Sequence, residues 1–249
     1  MRTPLAALLT LAALVLVTPI TARAAAIDEI TTANQKGQVV FLVLTQTGTR
    51  NVEAARSAAK EAQKQVKGSV VVELNRSDAT QAAAVKRYRL QAAPTPLVLV
   101  IASNGVAVGA SRAGKGAVAR LVKLVPTPKK ADVMQAFEQK QIAIIVFSKT
   151  TMPERGPLFE NLSAVSREMK DKIRLVLVDI DDASERKFVD EWAVPMASRR
   201  PTVAVVNPKG QPLGRLVGAP TAAEIIKTCK KRAACCTDPT CKGCKDKAK

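Results

Sequence analysis

The chain repeats one order of hydrophobic and polar positions in each of its two halves. Each half opens with apolar residues at helical spacing, namely Ile27, Ile30 and Ala33 in the first half and Val133, Met134 and Phe137 in the second. An unbroken apolar run follows at 39–44 and at 142–147. A short run of this kind is typical of a strand that is covered on both faces. Each half is therefore predicted to begin with a helix and a buried strand.

Further elements follow in the same order in both halves. In the first half an amphipathic helix at 52–66 is followed by a second buried strand at 70–74 and by a short helix that ends near the aromatic residue Tyr88. A third strand at 97–101 and a closing helix at 117–125 come next. In the second half the corresponding positions are 158–169, 173–178, the segment before Trp192, 202–206 and 222–229. The spacing from Pro96 to Gly105 equals that from Pro201 to Gly210, which indicates a true internal repeat.

This order of elements predicts a fold class as well as a repeat. Parallel strands joined through helices and then an antiparallel hairpin make a mixed sheet with helices on its faces. The predicted fold is α/β, with one such domain at 25–125 and a second at 131–228. The segment 126–130 holds two prolines and two lysines, which predicts a solvated, extended connector between the domains.

The N-terminal residues have the pattern of a cleaved secretory signal. Arg2 supplies a positive charge, an apolar run extends from Leu5 to Val17, and small residues follow, with an A-x-A site that ends at Ala24. The run is too short to span a bilayer comfortably, which argues against the alternative of an uncleaved anchor. We therefore predict that 1–24 is a signal peptide and that the product is exported, to the periplasm or the medium, with no transmembrane span after cleavage.

Composition excludes some chemistry and leaves other functions open. The sequence has no His, so His-based catalysis and His-ligated metal sites are excluded. Its formal net charge of +18 is compatible with contact to an anionic envelope surface, although a solvated cationic exterior is the favoured explanation. The basic residues include no stacking aromatics and no reader motif, which argues against binding of nucleic acid.

The order of elements and a few short motifs resemble the thioredoxin superfamily. The motifs are the proline steps Pro94-Thr95-Pro96 and Pro201-Thr202, the turns Asn104-Gly105 and Lys209-Gly210, and the acidic turn Val178-Asp179-Ile180-Asp181. The resemblance covers nearly all of the chain after the predicted signal, in two copies. It implies tandem thioredoxin-like domains, each with a mixed central sheet flanked by helices.

The resemblance does not extend to the Cys-x-x-Cys pair of catalytic thioredoxins. That pair follows the first buried strand, where the NH groups of a helix N-terminus stabilise a thiolate. The corresponding loops here, 45–50 and 148–154, contain no Cys. The sequence therefore favours a protein without the family's redox chemistry, and whether the chain is an enzyme at all stays open.

Pro96 and Pro201 match the family's cis-proline, which shapes a loop that meets extended peptides. Pro94 is a rival for the first of these positions. The resemblance predicts a cis bond at both prolines and makes them the candidate binding positions. The alternative is an ordinary trans proline that opens a strand.

The cysteines are confined to a basic C-terminal tail, predicted at 229–249. They are Cys229, Cys235, Cys236, Cys241 and Cys244. Structural disulfides are the default for an exported protein, with one thiol left over. The alternatives are a thiolate site for Zn or Cu, or redox chemistry through the Cys241 and Cys244 pair.

These observations favour an exported, non-catalytic binding or scaffold protein that contacts protein or peptide and needs no cofactor. The alternative is a thiol-disulfide oxidoreductase or metal-handling protein that works through the cysteine tail. The sequence does not identify a ligand.

Overall fold

The computed structural model describes residues 25–231 and has the predicted α/β architecture, in two copies. The first domain contains, in chain order, α1 (Ala26–Gln35), β1 (Val39–Thr45), α2 (Val52–Gln65), β2 (Ser69–Asn75), α3 (Ala82–Arg87), β3 (Leu97–Ile101), β4 (Ala107–Ser111) and α4 (Ala117–Leu124). The second contains α5 (Pro128–Glu138), β5 (Ile142–Ser148), α6 (Arg155–Met169), β6 (Ile173–Asp179), α7 (Arg186–Glu191), β7 (Thr202–Val206), β8 (Pro212–Val217) and α8 (Ala222–Cys229). The prediction of two α/β domains is confirmed.

Each domain has a four-stranded mixed sheet of the same strand order. The orders are β2-β1-β3-β4 and β6-β5-β7-β8. β1 is parallel to β2 and antiparallel to β3, with Leu44 opposite Leu97 and Val40 opposite Ile101. β5 has the same relation to β6 and β7. The carboxyl end of the first strand therefore lies beside the start of the third strand in both copies.

Helices cover both faces of each sheet. In the first domain, one core cluster joins α1 and α3 to the sheet through residues such as Ile30, Leu42 and Val85. A second cluster joins α2 and α4 to the opposite face through residues such as Phe41, Ala59 and Leu121. The second domain has the same two-sided arrangement. The central strands are buried on both sides, which explains their continuous apolar sequences.

The connector between the domains is shorter than the sequence suggested. The prediction of an extended segment at 126–130 is wrong for Pro128–Lys130, which form the first turn of α5. Thr127 is the N-cap, and its side chain accepts a hydrogen bond from the Lys130 backbone N–H at 3.3 Å. Proline at the first helical position loses no intrahelical hydrogen bond, so the sequence Thr-Pro starts a helix here.

A buried side chain anchors the first helix of each domain. In the first domain, Gln81 Oε1 accepts a hydrogen bond from Ala26 N at 2.8 Å. In the second, Glu185 Oε1 accepts one from Lys129 N at 2.9 Å. Glu185 is only 1% exposed. Both side chains satisfy a backbone N–H that a helix N-terminus leaves unpaired.

None of the helices in residues 25–231 combines the length and the apolar character that crossing a bilayer requires. The predicted signal peptide at 1–24 lies outside the residues that the structure describes.

Candidate functional site

The candidate site is the end of each sheet at which the first strand of the domain finishes and the third strand begins. We call this end the proline end. In the first domain it comprises the loop 46–51 and the segment that leads to Pro96. In the second it comprises the loop 149–154 and the segment that leads to Pro201. The strand register places these two segments side by side in each domain. Each candidate proline therefore lies beside the loop that leads into the second helix of its domain, α2 or α6.

Two threonines meet at the proline end of the first domain. Thr49, in the loop before α2, donates its Oγ1 hydrogen to Thr95 Oγ1 at 3.2 Å. Thr95 directly precedes Pro96, and the Thr95–Pro96 peptide bond is cis, as predicted. This pair of hydroxyls joins the helix start to the proline segment. It contains no thiol and no general base.

Arg76 holds the proline segment of the first domain through hydrogen bonds to its backbone. Its Nη1 donates its two hydrogens to a set of three carbonyl oxygens, those of Leu90, Gln91 and Ala93, which lie 3.1, 2.8 and 2.7 Å away. Its Nη2 donates to the side-chain oxygen of Gln46 in the opposite loop. One guanidinium therefore holds both segments of the proline end, because its planar array of donors can serve several acceptors at once.

An ion pair replaces the two hydroxyls in the second domain. Arg200, which directly precedes Pro201, donates from Nε to Glu154 Oε1 at 2.9 Å. Glu154 is the N-cap residue of α6. Gly218 lies against both charged groups, and its N–H donates to the Pro201 carbonyl at 2.8 Å. A side chain at position 218 would collide with the ion pair.

The prediction of a cis bond at Pro201 is wrong. Among residues 25–231 the cis bond is at Pro96, and the Arg200–Pro201 bond is trans. Trans is the lower-energy form of an X-Pro bond by about 0.5–1 kcal/mol. The trans geometry is also compatible with the Arg200 ion pair and with the hydrogen bond from Gly218.

The loop of the second domain carries further charge. Lys149 Nζ lies 2.6 Å from Asp181 Oδ1, which comes from the acidic turn after β6. The Lys149 backbone N–H donates to the sulfur of Met152 at 3.4 Å, and Met152 is buried. The two proline ends therefore differ in chemistry, one presenting hydroxyls and the other paired charges.

Two aspartates near the proline ends serve as caps. Hydrogen bonds from Thr80 hold the pKa of Asp78 below its usual value, and bonds from Ser184 do the same for Asp182. Each carboxylate accepts from the backbone N–H two residues later and begins a short 3₁₀ turn. These groups are ionised at neutral pH and stabilise the turn that follows the second strand.

The structure places Cys229 in the core of the second domain instead of a separate tail. It is the last residue of α8, is 6% exposed and packs in the cluster that contains Ile225, Ile226 and Val205. Burial raises the pKa of its thiol to about 11. The predicted tail boundary at 229 is therefore displaced, because the apolar face of α8 includes this residue. Cys235, Cys236, Cys241 and Cys244 lie outside the described residues.

Metal ligands are not clustered in the described part of the chain. Within residues 25–231 no group of three or more Cys, Asp or Glu side chains is arranged to hold a metal ion. The predicted Zn or Cu site at the tail cysteines lies mostly beyond these residues and stays a prediction.

Sequence reasoning missed the contacts that build the two proline ends. The Thr49 hydroxyl, the Arg76 guanidinium and the Glu154 carboxylate were not singled out as site residues. One signal was available, since both Thr95 and Arg200 stand directly before the selected prolines. Their partners lie far away in sequence and become visible only in the folded chain.

Comparison with known proteins gives thioredoxin-like structures and no sequence family. No family model and no curated protein matches the chain. A thioredoxin from Thermus thermophilus is 22% identical, with 42% of this chain and 82% of that chain covered and a TM-score of 0.35. The first two thioredoxin domains of Naumovozyma dairenensis Eps1p are 10% identical, with coverage of 82% and 95% and a TM-score of 0.32. The zinc-bound form of human ERp44 is 14% identical, with coverage of 82% and 53% and a TM-score of 0.33.

The fold of this chain is that of two tandem thioredoxin-like domains. This statement depends on the strand order, the mixed pairing and the helices on both faces of each sheet.

Proposed function

We propose that the chain is an exported, non-catalytic binding or scaffold protein that contacts polypeptide through its proline ends. The proposal depends on which residues occupy the loop where the superfamily places its dithiol. In the first domain that loop holds Thr49, which is hydrogen-bonded to Thr95, and in the second it holds Glu154, which is ion-paired with Arg200. Neither pair supplies a nucleophile for thiol-disulfide exchange.

The proline end of the first domain has the features of a surface for extended chains. Thr47, Gln46 and Pro94 are exposed on either side of the Thr49–Thr95 contact. Arg76 holds both flanking segments, so little ordering is needed when a partner binds. A preformed surface with hydroxyl and backbone groups suits hydrogen bonding to the main chain of a peptide.

Binding is tested with an unfolded model protein whose cysteines have been reduced and capped with uncharged groups. We expect the wild-type chain to bind it in a fluorescence anisotropy titration. Thr47→Trp places a bulky side chain in the exposed loop and should weaken binding at least fivefold. Lys60→Trp, on the exposed side of α2, is the matched control and should leave binding unchanged. Equal affinities of all three proteins would contradict the proposal.

Catalysis is tested separately, by reduction of insulin with the full-length exported protein. The proposal predicts a rate no higher than that of the buffer with dithiothreitol alone. A faster rate that disappears in Cys241→Ser/Cys244→Ser would overturn the non-catalytic assignment and favour redox chemistry in the tail.

A further inference from the structure

A groove with basic and aromatic walls lies at the end of the first sheet opposite the proline end. Its cavity is about 440 Å³, and we name it the Tyr88 groove after its central residue. Its lining combines the basic residues Arg87, Arg89 and Lys140 with the acid Glu138 and with apolar and aromatic side chains, namely Tyr88, Val106, Ala107, Met134 and Phe137. Tyr88 donates its hydroxyl hydrogen to the Gly105 carbonyl at 3.4 Å, in the turn between β3 and β4. Because β3 runs antiparallel to β1, that turn is remote from Pro96.

Both domains contribute to the groove, and the connection between them is short. α4 ends at Leu124 and α5 begins at Pro128. Val125 packs against the core of the first domain, and Thr127 caps α5 of the second. Lys187 of the second domain also donates from Nζ to the Lys123 carbonyl at 3.2 Å. The walls of the groove are thus joined by a connector that is anchored at both ends.

Two of the basic residues occupy backbone conformations that ordinarily favour glycine. Arg89 has a φ of 54° and Lys140 a φ of 58°, and each follows the C-cap residue of a helix. A left-handed conformation at this position is unfavourable for residues with a side chain. Their exposed cationic side chains therefore stand at positions where glycine would be the more stable choice.

The internal repeat supplies a comparison for these positions. Arg89 corresponds to Ala193, and Lys140 corresponds to Gly37, each again directly after a helix C-cap. Arg87, the last residue of α3, corresponds to Glu191, the last residue of α7. The fold does not require a cation at any of the three positions. At each of these positions, the basic residue is found in the copy of the repeat whose residue lines the groove.

We propose that the Tyr88 groove binds an acidic polypeptide segment that also carries apolar side chains. Arg87, Arg89 and Lys140 supply charge complementarity for the carboxylates, and Met134 and Phe137 supply apolar contact. The site is independent of polypeptide binding at the proline ends.

The size and the lining of the groove favour a polypeptide over other anions. A second cavity of about 540 Å³ shares Arg87 and Tyr88 with the groove, so the two cavities adjoin. The lining also includes the Glu138 carboxylate, and with Arg87, Arg89 and Lys140 against it the groove keeps a net positive charge. Five of the nine lining residues are apolar or aromatic, which suits leucine-like side chains between acidic ones.

The test uses a dye-labelled Glu-rich peptide with interspersed leucines and the full-length chain, at about 0.15 M salt, where remote charges are screened. The variant Arg87→Gln/Arg89→Gly/Lys140→Gly removes the three cations and places glycine at both left-handed positions, so its thermal stability should not fall. We expect its affinity for the peptide to drop about tenfold. If the triple variant does not fold, Arg87→Gln alone should still weaken binding about threefold.

The matched control is Lys60→Gln/Lys64→Gln/Lys67→Gln, which removes the same charge from exposed positions on and after α2. Its affinity should change less than twofold. Equal losses in both variants would show that net charge alone attracts the peptide and would overturn the proposal. So would equal binding of a peptide with Gln in place of Glu, or tighter, groove-dependent binding of a single-stranded oligonucleotide. Thr47→Trp should keep full affinity, which separates this site from the proline end.

Discussion

The Cys229 thiol should resist alkylation in the folded protein. It is 6% exposed at the end of α8, and burial raises its pKa to about 11. At pH 8 the thiolate fraction is then about 0.001, against roughly 0.09 for a cysteine with the ordinary pKa of 9.0, so alkylation should be slower by a factor of about 90 before steric exclusion is counted.

The assay follows iodoacetamide labelling by intact mass. The signal of Cys229 is isolated in a variant in which the four other cysteines, Cys235, Cys236, Cys241 and Cys244, are changed to serine. Labelling should be negligible in the native state and complete in denaturant. Rapid labelling of the native variant at pH 8 would refute both the burial of the thiol and the packing of α8.

The raised pKa of Cys229 also predicts a pH dependence of stability. A group whose pKa is higher in the folded state stabilises the fold fully below its unfolded pKa, here 9.0, and loses that contribution as pH rises towards 11. A shift of this size corresponds to roughly 2–3 kcal/mol. In urea denaturation, the isolating variant should therefore lose more stability between pH 9 and 11 than the same protein with Cys229→Ala. Parallel pH profiles would contradict the assigned shift.

Three further substitutions test the packing. Gly218→Ala, at a φ of 91° beside the ion pair of the second proline end, should lower the free energy of unfolding by about 2 kcal/mol in urea denaturation, and an unchanged midpoint would be inconsistent with this geometry. Glu185→Ala removes the acceptor for Lys129 N and should cost about 1–2 kcal/mol, whereas Glu185→Gln keeps an oxygen there and should cost less in the same assay. Leu121→Ala, fully buried, should cost about 2–5 kcal/mol by thermal denaturation.

The fold was predictable because its strands are buried on both faces. Continuous apolar runs such as 39–44 and 142–147 mark central strands, and the repeat doubles the evidence for each element. The start of α5 was missed although Thr127-Pro128 is a helix-start signal, because two prolines and two lysines suggested a solvated segment. Local composition and capping gave opposite indications there, and the cap determined the structure.

The sites were less predictable because they depend on contacts between distant residues. The prolines were identified from motif and position, but their isomeric states differ, and the residues that meet them come from other loops. Arg87 and Lys140 are separated by a whole strand pair and two helices, so no sequence window shows that they line one groove. Cys229 was grouped with its neighbouring cysteines, although its spacing from Ile225 and Ile226 places it on the buried face of α8.

The enclosure of each sheet by helices of its own domain has an evolutionary consequence. Within residues 25–231, the four core clusters each draw their members from a single copy of the repeat. After a gene duplication, substitutions in one copy would leave the interior of its sister undisturbed. The two copies can then differ at their surfaces while keeping the same core, as the hydroxyls at one proline end and the opposite charges at the other illustrate.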